Sequence, residues 1–148
     1  MRYEQATGSV EILFNEVKSI HFPELRNVNI IILLDTKKSK AKGKIVLGKI
    51  KKASEVEKYL TDDVFEGGVD YVMLLDIVMV EFCDDNDVKR VIRHELRHIF
   101  ITETGKLTLI PHSLEDFYEE VDLNADDPRW APRVSEMVTL IYEQGEDE

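Results

Sequence analysis

Histidine is scarce in this chain, four in 148 residues, yet two of the four stand around a glutamate in His94-Glu95-Leu96-Arg97-His98. On a helix, residues four apart share a face, so both imidazoles of an H-E-x-x-H run can converge on one divalent ion. The glutamate between them is then placed to hold a water on that ion and take its proton. This is chemistry for hydrolysing a carbonyl compound.

The neighbouring residues must build a helix that presents the run. At about 100° per residue, Val88, Val91, Ile92, Leu96, Ile99 and Phe100 fill one stripe, and Arg90, Arg93 and Arg97 lie opposite. That pattern predicts an amphipathic, half-buried helix over residues 88–100. The acidic run Asp84-Asp85-Asn86-Asp87 supplies its cap and favourable charge at its start. His94 and His98 fall at one margin of the stripe and Glu95 falls inside it. A carboxylate facing a core without a partner costs several kcal/mol. A nearby dication offsets that cost, whereas an ordinary solvated helix glutamate would not stand there.

Two histidines need a third protein ligand. The extended metalloprotease pattern would require glycine at 101 and histidine at 104, where the chain has Ile101 and Thr104, so that class is excluded. His112 is the one later histidine, expected between a short strand over residues 106–110 and a helix opened by Ser113-Leu114-Glu115-Asp116, a capping-box pattern. Glu115 and Glu119, one turn apart on that helix, are the alternative ligands. Asp116 and Glu119 are also candidates to receive the second N–H of a ligating histidine, against a reading as solvated helix charges. Tyr118, Arg97 and Arg129 stay open as stabilisers of an oxyanion. His21, beside a proline turn, reads as no ligand.

Further elements are expected around this centre. Ser9 should cap a first helix with Val10, Leu13, Phe14, Val17 and Ile20 on its apolar face. Residues 28–34 read as a strand apolar on both faces. Residues 45–52 read as a second strand paired to the first through a basic turn, and residues 69–75 as a third. Ser54 should cap a short helix carrying Val56, Tyr59 and Leu60; residues 77–82 form a buried helix or turn; Val134, Met137, Val138, Ile141 and Tyr142 mark a last helix before a frayed tail. Three strands then precede the motif. The class is α+β, a small mixed sheet of three to four strands against the motif helix, in one domain over residues 1–148.

Composition narrows the function. With 43% apolar residues the chain has enough for one core. A net charge of −11 and a pI near 4.8 disfavour general affinity for nucleic acid or anionic membranes. No stretch is long and apolar enough to span a membrane and no signal peptide is recognisable, so a cytoplasmic protein is expected. One cysteine, Cys83, excludes an internal disulfide and a cysteine zinc cluster, and reads as a small apolar residue. Against the overall charge, eight lysines lie between Lys37 and Lys52. They read first as a solvated hairpin guarding a sheet edge, and otherwise as a contact for a phosphate backbone or an acidic partner.

Taken together, Asp70-Tyr71-Val72-Met73, the run from His94 to Ile99, and His112-Ser113-Leu114-Glu115-Asp116-Phe117 resemble the putative phage metallopeptidase family. This is a zincin-like group similar in layout to SprT-type proteases. The resemblance implies a zincin-like fold, one zinc ion per chain on His94, His98 and His112, Glu95 as the catalytic carboxylate, and a protein or peptide substrate. Ser113 stands where that pattern has an acidic residue or glycine, and the lysine-rich stretch has no counterpart in it. The rival reading is a non-catalytic module stabilised by a metal, docking on nucleic acid or an acidic partner through the Lys37 to Lys52 hairpin. A third is a chance motif in a plain α+β interaction domain.

Overall fold

The computed structural model describes residues 1–111 and 118–146. In chain order the elements are β1 (Tyr3–Gln5), α1 (Gly8–His21), a 3-10 turn (Pro23–Leu25), β2 (Ile30–Asp35), β3 (Lys40–Ala41), β4 (Lys44–Ile45), β5 (Gly48–Lys52) and α2 (Glu55–Leu60). They continue with β6 (Tyr71–Asp76), α3 (Ile77–Phe82), α4 (Asp85–Leu96), β7 (Ile99–Ile101), β8 (Leu107–Leu109), α5 (Tyr118–Leu123) and α6 (Trp130–Glu146). The α+β class expected from the sequence is what the elements show.

Four strands make the main sheet in the order β1-β2-β6-β5. The two central strands are parallel, in register from Ile30 opposite Tyr71 to Asp35 opposite Asp76, and both outer strands run antiparallel to them. One face carries Ile30, Ile32, Leu34, Tyr71, Met73 and Leu75, all buried in a core shared with α1, α4 and α6. On the other face Ile31, Leu33 and Leu74 are half-buried around Val72, Val69 and Ala53. Covering on both sides explains why these two strands are near-continuous aliphatic runs.

The pairing expected between the first two apolar strands does not occur. β5 pairs with β6, and the neighbours of β2 are β1 and β6. The strands with two apolar faces take the centre, which leaves β5, with Lys49, Lys51 and Lys52 exposed, at the edge. The basic turn closes only the minor β3/β4 hairpin, where Lys42 and Gly43 both have positive φ, the pattern of a type I′ turn. Six strands, not three, precede the motif helix. β1 carried no alternation to reveal it because all three of its residues are exposed.

Thr7, not Ser9, is the N-cap residue of α1, and Ser9 lies inside the helix with its hydroxyl 3.0 Å from that of Thr7. Val10, Phe14 and Val17 are buried as expected, but Ile20 is exposed. The Ser54 cap is a full capping box with Glu57, yet Val56, Tyr59 and Leu60 all face solvent. In α6 the helix continues through Gly145 to Glu146, and the last two residues of the tail expected to fray, 147 and 148, lie outside the described residues. The Ser113 capping box and His112 lie outside the described residues. Among the described residues no helix is long and apolar enough to cross a membrane.

Candidate metal centre

α4 starts as the sequence predicts: the Asp87 amide donates to Asp84 Oδ1 at 2.9 Å, and Asp85 and Asp87 place negative charge in the first turn. Val88, Val91, Ile92, Glu95 and Leu96 are buried. The helix ends earlier than its apolar periodicity suggests, at Leu96 rather than Phe100. Ile99, Phe100 and Ile101 form β7, paired antiparallel to β8 through a turn in which Gly105 has φ +84. A β-branched and aromatic triplet beside a partner strand gains more from the ladder than from continuing a helix. Phe100 is therefore exposed.

The motif survives this early exit. Arg97 keeps helical dihedrals and its amide donates to the Arg93 carbonyl at 3.0 Å, while the His98 amide reaches back to the Glu95 carbonyl at 3.2 Å. One further turn of chain leaves the His94 and His98 rings edge to face with centroids 5.5 Å apart. His94, Glu95 and His98 each offer a ligand atom, and these lie within 4.8 Å of one another.

The β7/β8 hairpin grips His98 twice. Its Nδ1 donates to the Ile110 carbonyl at 2.6 Å, and the Ile110 amide donates to the His98 carbonyl at 2.7 Å. An imidazole facing a carbonyl must donate to it, so Nδ1 holds a proton and, in the neutral ring, Nε2 carries the lone pair, the tautomer a metal ligand needs. The hairpin is in turn tied to the sheet by Tyr71, whose hydroxyl donates to the Thr108 carbonyl at 2.8 Å. The sequence pointed to carboxylates for this orienting role. For His98 a main-chain oxygen takes it, and a backbone group leaves no residue signature. Asp116 lies outside the described residues, and so does the side chain of Glu119.

Glu95 is 7% exposed, and burial pushes its carboxyl up to about 7, with the charge of His94 holding it back. Above it runs the edge strand. A Cβ on Gly48 would lie 2.8 Å from Val91 Cγ1 and 3.3 Å from Glu95 Cγ, so β5 approaches the motif helix as closely as only a glycine allows. A glycine inside a strand pattern was the available sign of that close approach. Cys83 is partly buried and its thiol is pushed up to about 11 by burial, in keeping with a packing role.

The arginine face of α4 is not turned to solvent. Arg93 Nε and Arg97 Nε each donate at 2.9 Å to one oxygen of Glu120, which is completely buried on α5. Arg93 also bonds Asn124, and Arg90 joins Asp87 to Asp126. The Arg97 guanidinium additionally lies 4.6 Å from the Phe22 ring centroid, which commits it to packing. Arg129 is exposed in the turn before α6, and the side chain of Tyr118 lies outside the described residues. Three arginines at helical spacing signal the need for buried carboxylates, but nothing local singles out Glu120 from its neighbours.

The donor set fits a zinc-type ion: two imidazoles converge, one is held in the ligating tautomer, and a desolvated carboxylate stands between them. His112, the expected third ligand, lies outside the described residues, as does its rival Glu115. No curated protein and no solved structure matches the chain. A family model described as putative phage metallopeptidase matches residues 1–142, nearly the full length, and the chain belongs to that family.

Proposed function

We propose that this protein is a zinc-dependent metallopeptidase in which His94, His98 and His112 hold the ion and Glu95 is the general base. The observation that carries the reading is Glu95 itself, a carboxylate 7% exposed and set between two converging imidazoles, with its carboxyl raised to about 7. Membership of a metallopeptidase family supports hydrolytic metal chemistry, and the imidazole-rich donor set favours zinc. When bound, the ion would act as a Lewis acid toward the scissile carbonyl and make water acidic near neutral pH. Glu95 accepts a proton from the attacking water and returns it to the leaving amine, a task for which a buried carboxylate beside the ligating imidazoles is placed. Ile110 holds the His98 ring in its ligating tautomer. β5 has an outer edge that can hold an extended peptide by strand addition, directly above Glu95.

Elemental analysis of the untagged chain, purified without added metal, tests the ligand set. About one zinc per chain is expected, reduced in His112→Ala and preserved in Glu119→Ala. Glu95→Gln should keep its zinc and lose peptide hydrolysis by roughly 10²–10⁴-fold. A wild type that takes up no zinc, or a Glu95→Gln variant as active as wild type, would overturn the proposal.

A further inference from the structure

The lysine-rich stretch and the metal centre, more than forty residues apart in sequence, meet at one strand. β5 is the outer strand of the sheet, and Gly48 at its start lies against Glu95. Lys49 stands opposite Leu74, on the face turned away from α4, while Lys52 stands opposite Tyr71 on the α4 side. Both are exposed, and among the described residues neither makes an ion pair, whereas Lys51 is held by Glu57 at 2.9 Å. The chain leading into the strand adds Lys40, Lys42 and Lys44, all exposed. Lys42 is held at φ +53, where asparagine or glycine would be less strained.

Charge in this molecule is segregated. Residues 37–52 carry eight lysines and no acidic residue, a net +8; the rest of the chain carries the other 11 of 19 basic residues and all 30 acidic ones, a net −19, which together give −11. An acidic chain is repelled by most of the surface and attracted to the strand that borders the active centre.

We propose that the peptide this edge takes is acidic: an extended segment that pairs its backbone with β5 and sets carboxylate side chains against Lys49 and Lys52. The inference rests on the peptidase reading of the site and names its substrate class. The outer edge of β5 offers N–H donors and C=O acceptors in alternation, which an extended polypeptide satisfies on both counts. A phosphate backbone supplies acceptors alone, so the strand edge favours peptide over nucleic acid. Cross-strand side chains lie about 5 Å apart, close enough for direct charge pairing. On the α4 side, Gly48 and Ile50 present no charge, so the peptide residues beside Glu95 are uncharged, and the acids fall opposite Lys49 on one face and opposite Lys52, farther along the strand, on the other.

The test uses the full chain and three fluorescein-labelled ten-residue peptides, identical except at two positions three residues apart, which an extended chain sets on opposite faces as Lys49 and Lys52 are set, and which carry Asp, Asn or Lys. Binding is read by fluorescence anisotropy and cleavage by mass spectrometry in the presence of zinc. The Asp peptide should bind about tenfold more tightly than the Asn peptide, from two favourable pairs. In the doubly reversed variant Lys49→Glu/Lys52→Glu the preference should invert toward the Lys peptide, a compensation that mere loss of structure would not give. Asp and Asn peptides bound within twofold of each other, or no inversion in the variant, would overturn the proposal. So would a ten-nucleotide oligothymidylate that binds more tightly than the Asp peptide and displaces it. Charge-selective binding without cleavage would support the acidic edge and count against the peptidase reading. Equal cleavage of all three peptides would do the reverse.

Discussion

Removing the Glu120 carboxylate should destabilise the protein far more than breaking any exposed ion pair. Glu120 is completely buried and bonded at 2.9 Å to both Arg93 and Arg97, whose side chains are 13% and 21% exposed. Breaking a buried pair by deleting one partner costs about 3–5 kcal/mol, because the charges left behind are neither paired nor hydrated. Here both guanidiniums keep some access to water, so Glu120→Ala is expected near the lower end, about 3 kcal/mol. With an unfolding entropy of about 2.1 cal/mol/K per residue, the 148 residues melt with about 0.3 kcal/mol/K, and the loss corresponds to a Tm drop of about 10 °C. Glu120→Gln keeps the volume and one acceptor and should lose about half as much. The partly exposed Lys89 to Glu16 pair, 2.9 Å long, gives the contrast, at under about 1 kcal/mol for Glu16→Gln. Thermal melting and urea unfolding of Glu120→Ala, Glu120→Gln, Arg93→Gln and the Glu120→Gln/Arg93→Gln double variant supply the assay. A Tm drop below about 3 °C for Glu120→Ala, or strictly additive effects in the double variant, would refute the idea that this carboxylate clamps α5 onto the motif helix.

Gly48→Val places methyl groups where a Cβ alone already sits 2.8 Å from Val91, so β5 must move away from α4. We expect about 1–3 kcal/mol of destabilisation from overpacking, with peptide hydrolysis falling further than stability does, as measured by melting and turnover side by side; unchanged turnover would show that the strand does not border the reacting groups. Asp87 tests pH dependence. Burial acts to raise its carboxyl, but hydrogen bonds and charge from Arg133 and Arg90 outweigh it and hold the group below its ordinary value of 3.8. A lowered folded value means that its stabilisation is present above 3.8 and lost as the pH falls through the folded value. Asp87→Asn should therefore cost about 2 kcal/mol at neutral pH, with the gap to wild type closing at the acid end of a urea series run from pH 7 to 2; a pH-independent gap would contradict this account.

Much of the site was legible because its signals are local. His94, Glu95 and His98 are bound by helical spacing, and the burial of Glu95 follows from its place in the apolar stripe, which the structure reproduces. The Ser54 and Asp84 caps were equally readable, since a cap bonds an amide only a few residues away. The third ligand is a different case: the sequence points to His112, with Glu115 and Glu119 as alternatives, and it remains a proposal to be settled by metal analysis. Errors arose where partners lie far along the chain. The pairing of β5 with β6 depends on which strands compete for the centre of the sheet, and the exit of α4 at Leu96 depends on β8 being available to pair with β7.

By itself the sequence determined the motif helix, its capped start, the two apolar strands and the separation of a basic stretch from an acidic remainder. Those features rest on periodicity, capping chemistry and composition, which act within a few residues. Only the tertiary structure decided that the end of the basic stretch forms the edge strand above Glu95, that the Ile110 carbonyl orients His98, and that Glu120 joins Arg93 to Arg97. Each of these is a contact between segments distant in the chain. Their geometry is set by how the whole sheet and its helices pack, and no local pattern encodes it.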